Sequence, residues 1–127
     1  MDRERFEKGV ARRKAVLGDA YVQKALDEAD DFTRPFQEMM TEFCWGFGWG
    51  DETIEPKIRS MMNLTMIAAL NRMDEWELHF KGAIRNGVSK TELRAVIHQI
   101  SIYCGVPAGV ECFRIAKRVL VEEISEN

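Results

Sequence analysis

The stretch that decides the fold is Met73-Asp-Glu-Trp-Glu-Leu-His-Phe-Lys-Gly-Ala-Ile-Arg-Asn-Gly-Val-Ser-Lys-Thr-Glu-Leu93. It contains the end of one helix and the start of the next. Gly87 suits the left-handed residue that often lies just past a helix end. Ser89 and Glu92 have the spacing of a capping box, in which two side chains satisfy free backbone N–H groups of the following helix. The stretch therefore predicts two helices joined by a short turn.

Apolar residues on both sides of this turn recur with the period of a helix. Val88 and Leu93 are also spaced for a hydrophobic staple at the start of the second helix. Gly105 and Pro107 interrupt that helix near its end. Two amphipathic helices with a short connection predict an antiparallel helical hairpin. The apolar faces consist of Trp76, His79, Phe80 and Ala83 before the turn, and of Leu93, Val96, Ile97, Ile100 and Cys104 after it.

The rest of the chain also has helical spacing, and no segment alternates with the period of a strand. Helices are expected over about residues 2–17, 20–31 and 108–122, and two more begin near Pro35 and Pro56 because proline is tolerated in a first turn. The helix after Pro56 is expected to be the most buried. The sequence thus predicts an all-α fold of about six or seven helices, in a single domain over residues 1–127, with the hairpin at its centre. The side chains expected to face inward are Phe6, Val10 and Leu17 on the first helix, Phe36, Met39, Met40 and Phe43 on the third, Ile58, Met61, Met62, Thr65, Ala68 and Ala69 on the fourth, and Cys112, Ile115, Ala116 and Val119 on the last.

The composition is that of a globular protein with ordinary charge. The chain has 127 residues, of which 46% are apolar and 31% charged, and this is enough for one hydrophobic core. A net charge of −3 without a basic patch argues against a nucleic-acid partner. No apolar run approaches the roughly 18 residues of a membrane helix, so no membrane association is expected. The first residues mix Asp2, Glu4 and Glu7 with basic residues and form no apolar segment, so no secretion signal is expected.

The cysteines indicate a reducing environment. Cys44, Cys104 and Cys112 are an odd number with no Cys-x-x-Cys pair, which predicts free thiols in a cytoplasmic protein. Cys104 and Cys112 lie on apolar helix faces, so we expect them to be inert core thiols unless a neighbour activates one. Two distant histidines without spaced acids do not form a set of zinc ligands, and no metal site is expected.

The segment Cys44–Gly50 alternates glycine with aromatic residues. Its three glycines predict a loop, since they loosen the backbone. The aromatic rings either plug this loop into the core, or Trp45, Phe47 or Trp49 lines an apolar ligand pocket.

His79 is the first candidate for chemistry, because histidine exchanges protons near neutral pH and this one lies on an apolar stripe. The alternative is a core histidine that is hydrogen-bonded to a neighbour. Arg59 suits a carboxylate ligand through its planar fork of donors, whereas most arginines lie on the surface or pair with a local acid, here for example Glu55. Glu111 could face inward or lie on a solvated face, and His98 is expected to face solvent.

Eight short motifs follow one another over nearly the whole chain: Arg12-Arg-Lys-Ala-Val-Leu-Gly18, Pro35-Phe-Gln37, Trp45-Gly46 with Trp49, Arg59-Ser60, Ala68-Ala-Leu-Asn-Arg72, Leu78-His79-Phe-Lys-Gly-Ala83, Asn86-Gly-Val88 and Tyr103-Cys-Gly-Val-Pro-Ala108. In their order and spacing they resemble the carboxymuconolactone decarboxylase family. The resemblance implies an all-α fold shared with alkyl hydroperoxidase D, and a homo-oligomer, commonly a hexamer built from trimers. It also implies a cofactor-free decarboxylation of γ-carboxymuconolactone to β-ketoadipate enol-lactone in the breakdown of aromatic acids.

The branch of the superfamily that reduces peroxides carries Cys-x-x-Cys-x-x-x-His. Aligned on His79, its cysteines fall on Arg72 and Glu75, so that disulfide chemistry is missing and the chain resembles the decarboxylase branch. The chain departs from that branch in two places. Gly50-Asp-Glu-Thr53 stands where Thr-Arg-Pro-Gly is usual, and Gly109-Val-Glu111 stands where Ala-Asn-His is usual. Both changes disfavour a doubly anionic substrate.

The leading hypothesis is a lyase that acts on a lactone-like or cyclic carboxylic acid without a cofactor. His79 would supply the proton and Arg59 would bind a carboxylate, while Trp45, Trp49, Tyr103 and Glu111 would form the rest of the substrate site. One alternative is a redox protein that uses Cys44, Cys104 or Cys112 singly. Another is a non-catalytic oligomer that binds a small acid.

Overall fold

A computed structural model describes the backbone of residues 1–126 and the side chains of residues 1–123. The described part contains seven α-helices, one π-helix and no strand, which confirms the predicted all-α fold. The helices are α1 (Arg3–Leu17), α2 (Asp19–Asp27), α3 (Arg34–Met40), π1 (Thr41–Gly48), α4 (Pro56–Ala69), α5 (Met73–Arg85), α6 (Lys90–Tyr103) and α7 (Val106–Glu126).

The chain divides into two compact units, and each is described by itself. The first unit comprises residues 1–56 and the second begins at Lys57. None of the helices in the described part is long and apolar enough to cross a membrane.

The first unit is organised by close packing of α1 on π1. A Cβ atom on Gly9 would lie 2.0 Å from the backbone oxygen of Thr41, and one on Gly46 would lie 2.3 Å from the backbone oxygen of Arg5. Glycine is therefore required at both positions for the two helices to approach. The core of this unit consists of Val16, Leu17, Val22, Ala29, Trp45 and Trp49.

The predicted loop at Cys44–Gly50 is wrong for most of its length. The chain continues from α3 directly into π1, and the N–H of Trp49 donates to the backbone oxygen of Cys44 at 2.9 Å, the five-residue spacing of a π-helix. Gly46 serves close contact between helices rather than flexibility. A glycine pattern alone does not distinguish these two uses.

The second unit contains the predicted hairpin of α5 and α6. Gly87 has φ of 87°, and Ser89 and Glu92 form both hydrogen bonds of the capping box. Val88 and Leu93 are buried in the same core cluster, as the staple requires. The indole of Trp76 stacks on Phe80 with ring centroids 5.2 Å apart. The inward face predicted for α7 is confirmed, since Cys112, Ile115, Ala116 and Val119 are all buried.

The inward face predicted for helix α4 is confirmed at Ala68 and is wrong at Ile58, Met62 and Ala69. Its buried residues are Ser60, Leu64 and Ala68, whereas Ile58 and Met62 are exposed. The amide of Asn86 donates to the Ser60 hydroxyl at 2.9 Å, and this hydrogen bond lets a polar residue replace the apolar one expected at the contact.

Several further sequence predictions are wrong in part. In α1, Gly9 and Arg13 are buried, while Phe6 and Val10 are only partly so, because α1 meets π1 at Gly9 and Arg13 donates a hydrogen bond to Thr41 of π1. Cys104 caps α6 at its exposed end instead of continuing the buried stripe. Helix α7 begins at Val106 rather than near residue 108, because Pro107 is tolerated in the first turn. The exposed residues that were expected inward are Phe36, Met39 and Phe43 near α3, and Ala69 on α4.

We expect Gly9→Ala to lower the free energy of unfolding by about 1–3 kcal/mol, because the new methyl group would collide with backbone atoms that cannot rotate away. Gly48→Ala is the matched control, since the nearest atom to its Cβ lies at 3.7 Å, an ordinary contact. It should change the free energy of unfolding by no more than about 1 kcal/mol. Chemical denaturation at equal protein concentration measures both values. Equal losses in the two variants would contradict the proposed close packing.

Candidate functional site

His79 lies on the flank of the buried face of α5. Its neighbours Trp76 and Phe80 are fully buried, whereas His79 is half-buried with its Nδ1 atom inside the protein. Burial lowers the pKa of His79 below its usual value, and the carboxylate of Glu75, one turn earlier, partly offsets this by favouring the charged form. The site thus holds a titratable group between an apolar core and an exposed acid.

The position of α5 against α4 is set by two hydrogen bonds. The indole nitrogen of Trp76 donates to the backbone oxygen of Leu64 at 3.0 Å, and Asn86 donates to Ser60 at 2.9 Å. The later residue of α5 contacts the earlier residue of α4, so the two helices are antiparallel.

Arg59 is half-buried beside Ser60, at the end of this pair of helices where Asn86 lies. Asn86 follows His79 by seven positions. At about 1.5 Å per residue, the backbones of these two residues lie roughly 10 Å apart along the axis of α5. The imidazole of His79 and the guanidinium of Arg59 therefore lie on neighbouring helices of the second unit.

The other two residues predicted for the site in this unit lie towards solvent. Tyr103 ends α6 with 78% of its surface exposed. Glu111 is half-buried and accepts hydrogen bonds from Nε and Nη2 of Arg114. This ion pair lowers the pKa of Glu111, so its negative charge is already matched by a local cation.

Trp45 and Trp49 belong to the first unit. Both are buried, and their rings stack with centroids 5.1 Å apart. Trp49 also lines a cavity of about 200 Å³ together with Arg12 and Glu52, which approach each other at 3.8 Å. Phe47 is exposed. The indole rings of Trp45 and Trp49 thus belong to the core of this unit, and of these two residues Trp49 also lines the cavity.

The thiols have two kinds of surroundings. Cys44 and Cys104 are exposed, whereas Cys112 is fully buried. Desolvation raises the pKa of Cys112 to about 12, which makes it unreactive at neutral pH. Desolvation also raises the pKa of Cys44, against an opposing effect of Arg13. Among the described side chains, no group of three His, Cys, Asp or Glu residues is arranged to hold a metal ion.

Sequence reasoning missed the buried cation of the first unit. Arg13 is almost fully buried, and its Nη1 donates to Gln37 at 3.0 Å and to Thr41 at 3.3 Å. Burial lowers the pKa of Arg13. A signal was present, because Arg13 lies one turn after Gly9 and one turn before Leu17, on the face that packs.

Comparison with known proteins gives consistent similarities. The model of the carboxymuconolactone decarboxylase family matches residues 34–118. The whole chain is 36% identical to nitrosuccinic acid decarboxylase from Metarhizium robertsii and covers 89% of that protein. Over 93% of its length it is 33% identical to 4-carboxymuconolactone decarboxylase from Acinetobacter baylyi, of which it covers 88%.

We expect His79 to titrate below 6.5 in the folded protein, because burial disfavours the imidazolium. The unfolded chain then takes up the proton first, so this group destabilises the fold as the pH falls below about 6.5. Glu75→Gln should lower the pKa of His79 further, since it removes the favourable charge. Asp74→Asn is the control, as Asp74 is an exposed acid of the same helical turn.

Nuclear magnetic resonance of the imidazole groups measures this titration, and a His98→Gln variant assigns the two histidines. A midpoint at or above 6.5 for His79 would show that burial does not dominate. Equal shifts in the Glu75 and Asp74 variants would show that Glu75 has no specific role.

Proposed function

The chain belongs to the carboxymuconolactone decarboxylase family and is a decarboxylase of that family, and we propose that it acts without a cofactor on a γ-carboxymuconolactone-like lactone acid in the breakdown of aromatic compounds. The observation that carries the proposal is a half-buried histidine on the hairpin of the second unit, inside the matched region. More generally, the substrate would be a small acid whose departing carboxyl group is activated by an electron-withdrawing group.

The names of the two relatives support this substrate class. One names a nitro-substituted acid and the other a carboxylated unsaturated lactone. In both compounds the electron pair left by the departing CO₂ can be delocalised, into a nitro group or into the conjugated lactone. What an enzyme must add to such a substrate is a place for the anion and a proton for the carbon.

The reaction proposed for the lactone needs no redox partner. The bond between the ring carbon and the carboxylate carbon breaks, CO₂ leaves, and the electron pair of that bond moves into the unsaturated lactone. The proton carried by His79 then passes to a carbon of the resulting dienolate. His79 regains a proton from water, so atoms and electrons balance.

The low pKa of His79 shapes this mechanism. In the free protein, burial favours neutral imidazole, which is a poor acid. A bound carboxylate would add a negative charge beside the ring and raise its pKa, so the imidazolium would form when substrate is present. The carboxylate of Glu75 acts on the pKa of His79 in the same direction. Substrate binding would therefore favour protonation of His79, which makes it a proton donor.

Arg59 is proposed to bind a carboxylate of the substrate through its planar guanidinium. It shares the second unit with His79 and is half-buried, a position in which a charge-assisted hydrogen bond is stronger than in open solvent. The contributions of Tyr103, Glu111, Trp45 and Trp49 to the substrate site stay predictions.

We also propose a homo-oligomer, a trimer or a hexamer, in the cytoplasm. Large apolar side chains are exposed on both units, beyond what scattered surface residues require. Three free cysteines fit a reducing compartment. The most exposed apolar side chains are Phe32, Phe47, Leu70, Ile102, Tyr103 and Val106.

For a single-cysteine redox protein, the raised pKa values of Cys44 and Cys112 are unfavourable. We expect iodoacetamide at pH 7 to leave Cys112 unmodified in the native protein and to label Cys44 more slowly than a free thiol of ordinary pKa. Intact-mass measurement over time gives the rates, and the unfolded protein, in which all three thiols should react, is the control. One thiol that reacts far faster than this reference would revive the redox alternative.

The central test is decarboxylation of γ-carboxymuconolactone, generated in situ and followed by loss of absorbance and release of CO₂. We expect His79→Ala to lower kcat about 10²–10⁴-fold, the usual contribution of a general acid. His98→Ala is the matched control, because His98 is an exposed histidine of the same unit. Arg59→Ala should mainly raise KM if the guanidinium binds a carboxylate in the ground state.

Turnover that persists in His79→Ala would refute the proton-donor role. Absence of turnover in a folded wild-type protein, with nitrosuccinic acid converted instead, would reject the lactone and keep the activated-acid class. Tight binding of either acid without turnover would favour the non-catalytic alternative.

A further inference from the structure

A groove of about 580 Å³ lies on the second unit, formed by helices α6 and α7 with one ring from α5. This volume is within the usual range for ligand pockets. Neither His79 nor Arg59 lines the groove, so it is distinct from the candidate catalytic residues. Its lining consists of Phe80, Lys90, Thr91, Leu93, Arg94, Ile97, Phe113, Ala116, Lys117, Leu120 and Val121.

The floor of the groove is apolar and well supported. Phe80, Leu93, Ile97 and Ala116 are all buried and belong to the core cluster of the second unit. The Phe80 ring is held in place by its stack on Trp76. A floor of this kind favours the apolar part of a ligand, because burial there removes hydrocarbon surface from water.

The rim carries three exposed cations. Lys90 and Arg94 are four residues apart on α6 and so lie on one face of that helix, while Lys117 comes from α7. None of the groove side chains that the structure describes is acidic. The rim is therefore positive in a chain whose net charge is −3.

These cations differ from their neighbours in having no acidic partner among the side chains that the structure describes. Lys57 pairs with Glu92 at 3.1 Å, Arg114 pairs with Glu111, and Arg118 pairs with Glu77. Among the described residues, no acid lies within ion-pair distance of Lys90, Arg94 or Lys117. Three acids of this unit, Glu77, Glu92 and Glu111, are thus paired with other cations, which leaves the groove cations available for an anion.

We propose that this groove binds an amphipathic monocarboxylic acid, with the hydrocarbon body on the apolar floor and the carboxylate at the rim. Arg94 offers the planar fork that matches a carboxylate, and the two lysines supply further positive charge. The complementary ligand needs one anionic end and one apolar body, because the cations lie at the edge and the floor has no charge. The inference does not depend on the proposed decarboxylation, since the groove lacks His79 and Arg59.

The test is isothermal titration calorimetry of the full chain with octanoate, compared with octan-1-ol as the uncharged probe. We expect octanoate to bind. Arg94→Glu and Lys117→Glu should each raise the Kd for octanoate about tenfold or more, because a charge-assisted contact becomes repulsive. Arg72→Glu makes the same change in net charge at an exposed cation outside the groove and should leave the Kd within about twofold. All three substituted side chains are exposed, so the variants should fold, and circular dichroism checks this.

Several outcomes would overturn the proposal. Octanol that binds as tightly as octanoate would remove the role of the cations. Equal weakening by Arg72→Glu would reduce the effect to net charge. A groove that binds no octanoate, in a protein whose Arg94→Glu variant changes its oligomeric mass in sedimentation, would identify the surface as a contact between copies of the chain. Each result leaves the assay of His79 unaffected, so the failure of this site and of the decarboxylase can be told apart.

Discussion

The hydrogen bond from the Trp76 indole to the Leu64 backbone oxygen is the contact on which the second unit depends. A fully buried indole must satisfy its N–H group, and a partner at 3.0 Å in α4 does so while holding α5 at a fixed depth and rotation. The ring then stacks on Phe80, which supports the groove floor. His79, three residues after Trp76, is thereby kept on the flank of the buried face rather than within it.

That placement on the flank explains how one side chain can combine burial with chemistry. A histidine in the centre of the core would stay neutral and inaccessible, whereas a fully exposed one would respond little to a bound anion. At the flank, burial lowers the pKa of His79 while Glu75 and an anionic ligand can still raise it. The same apolar face thus supports the fold and, by burial, lowers the pKa of His79.

The buried arginine of the first unit and the exposed cations of the second unit have different roles. In the first unit, Arg13 is enclosed by neutral acceptors, and Gly9 and Gly46 allow the backbones of α1 and π1 to approach. In the second unit, Lys90, Arg94 and Lys117 stand at the edge of an apolar groove. A buried guanidinium is held by fixed local partners and acts in packing, whereas rim cations remain exchangeable and can recognise an anion.

The sequence by itself determined the features that depend on neighbours in the chain: the all-α class, the hairpin, the Ser89–Glu92 capping box, the inward face of α7 and the family resemblance. These follow from local hydrogen bonding and helical period, which act over a few residues. Only the tertiary structure decided that Cys44–Gly48 is π-helical and that α4 buries Ser60 instead of Ile58 and Met62. It also decided that Arg13 is enclosed and that three cations surround one groove. Each of these depends on a partner distant in the chain, such as Gly9 for π1 or Asn86 for Ser60, and no local pattern specifies which surfaces meet.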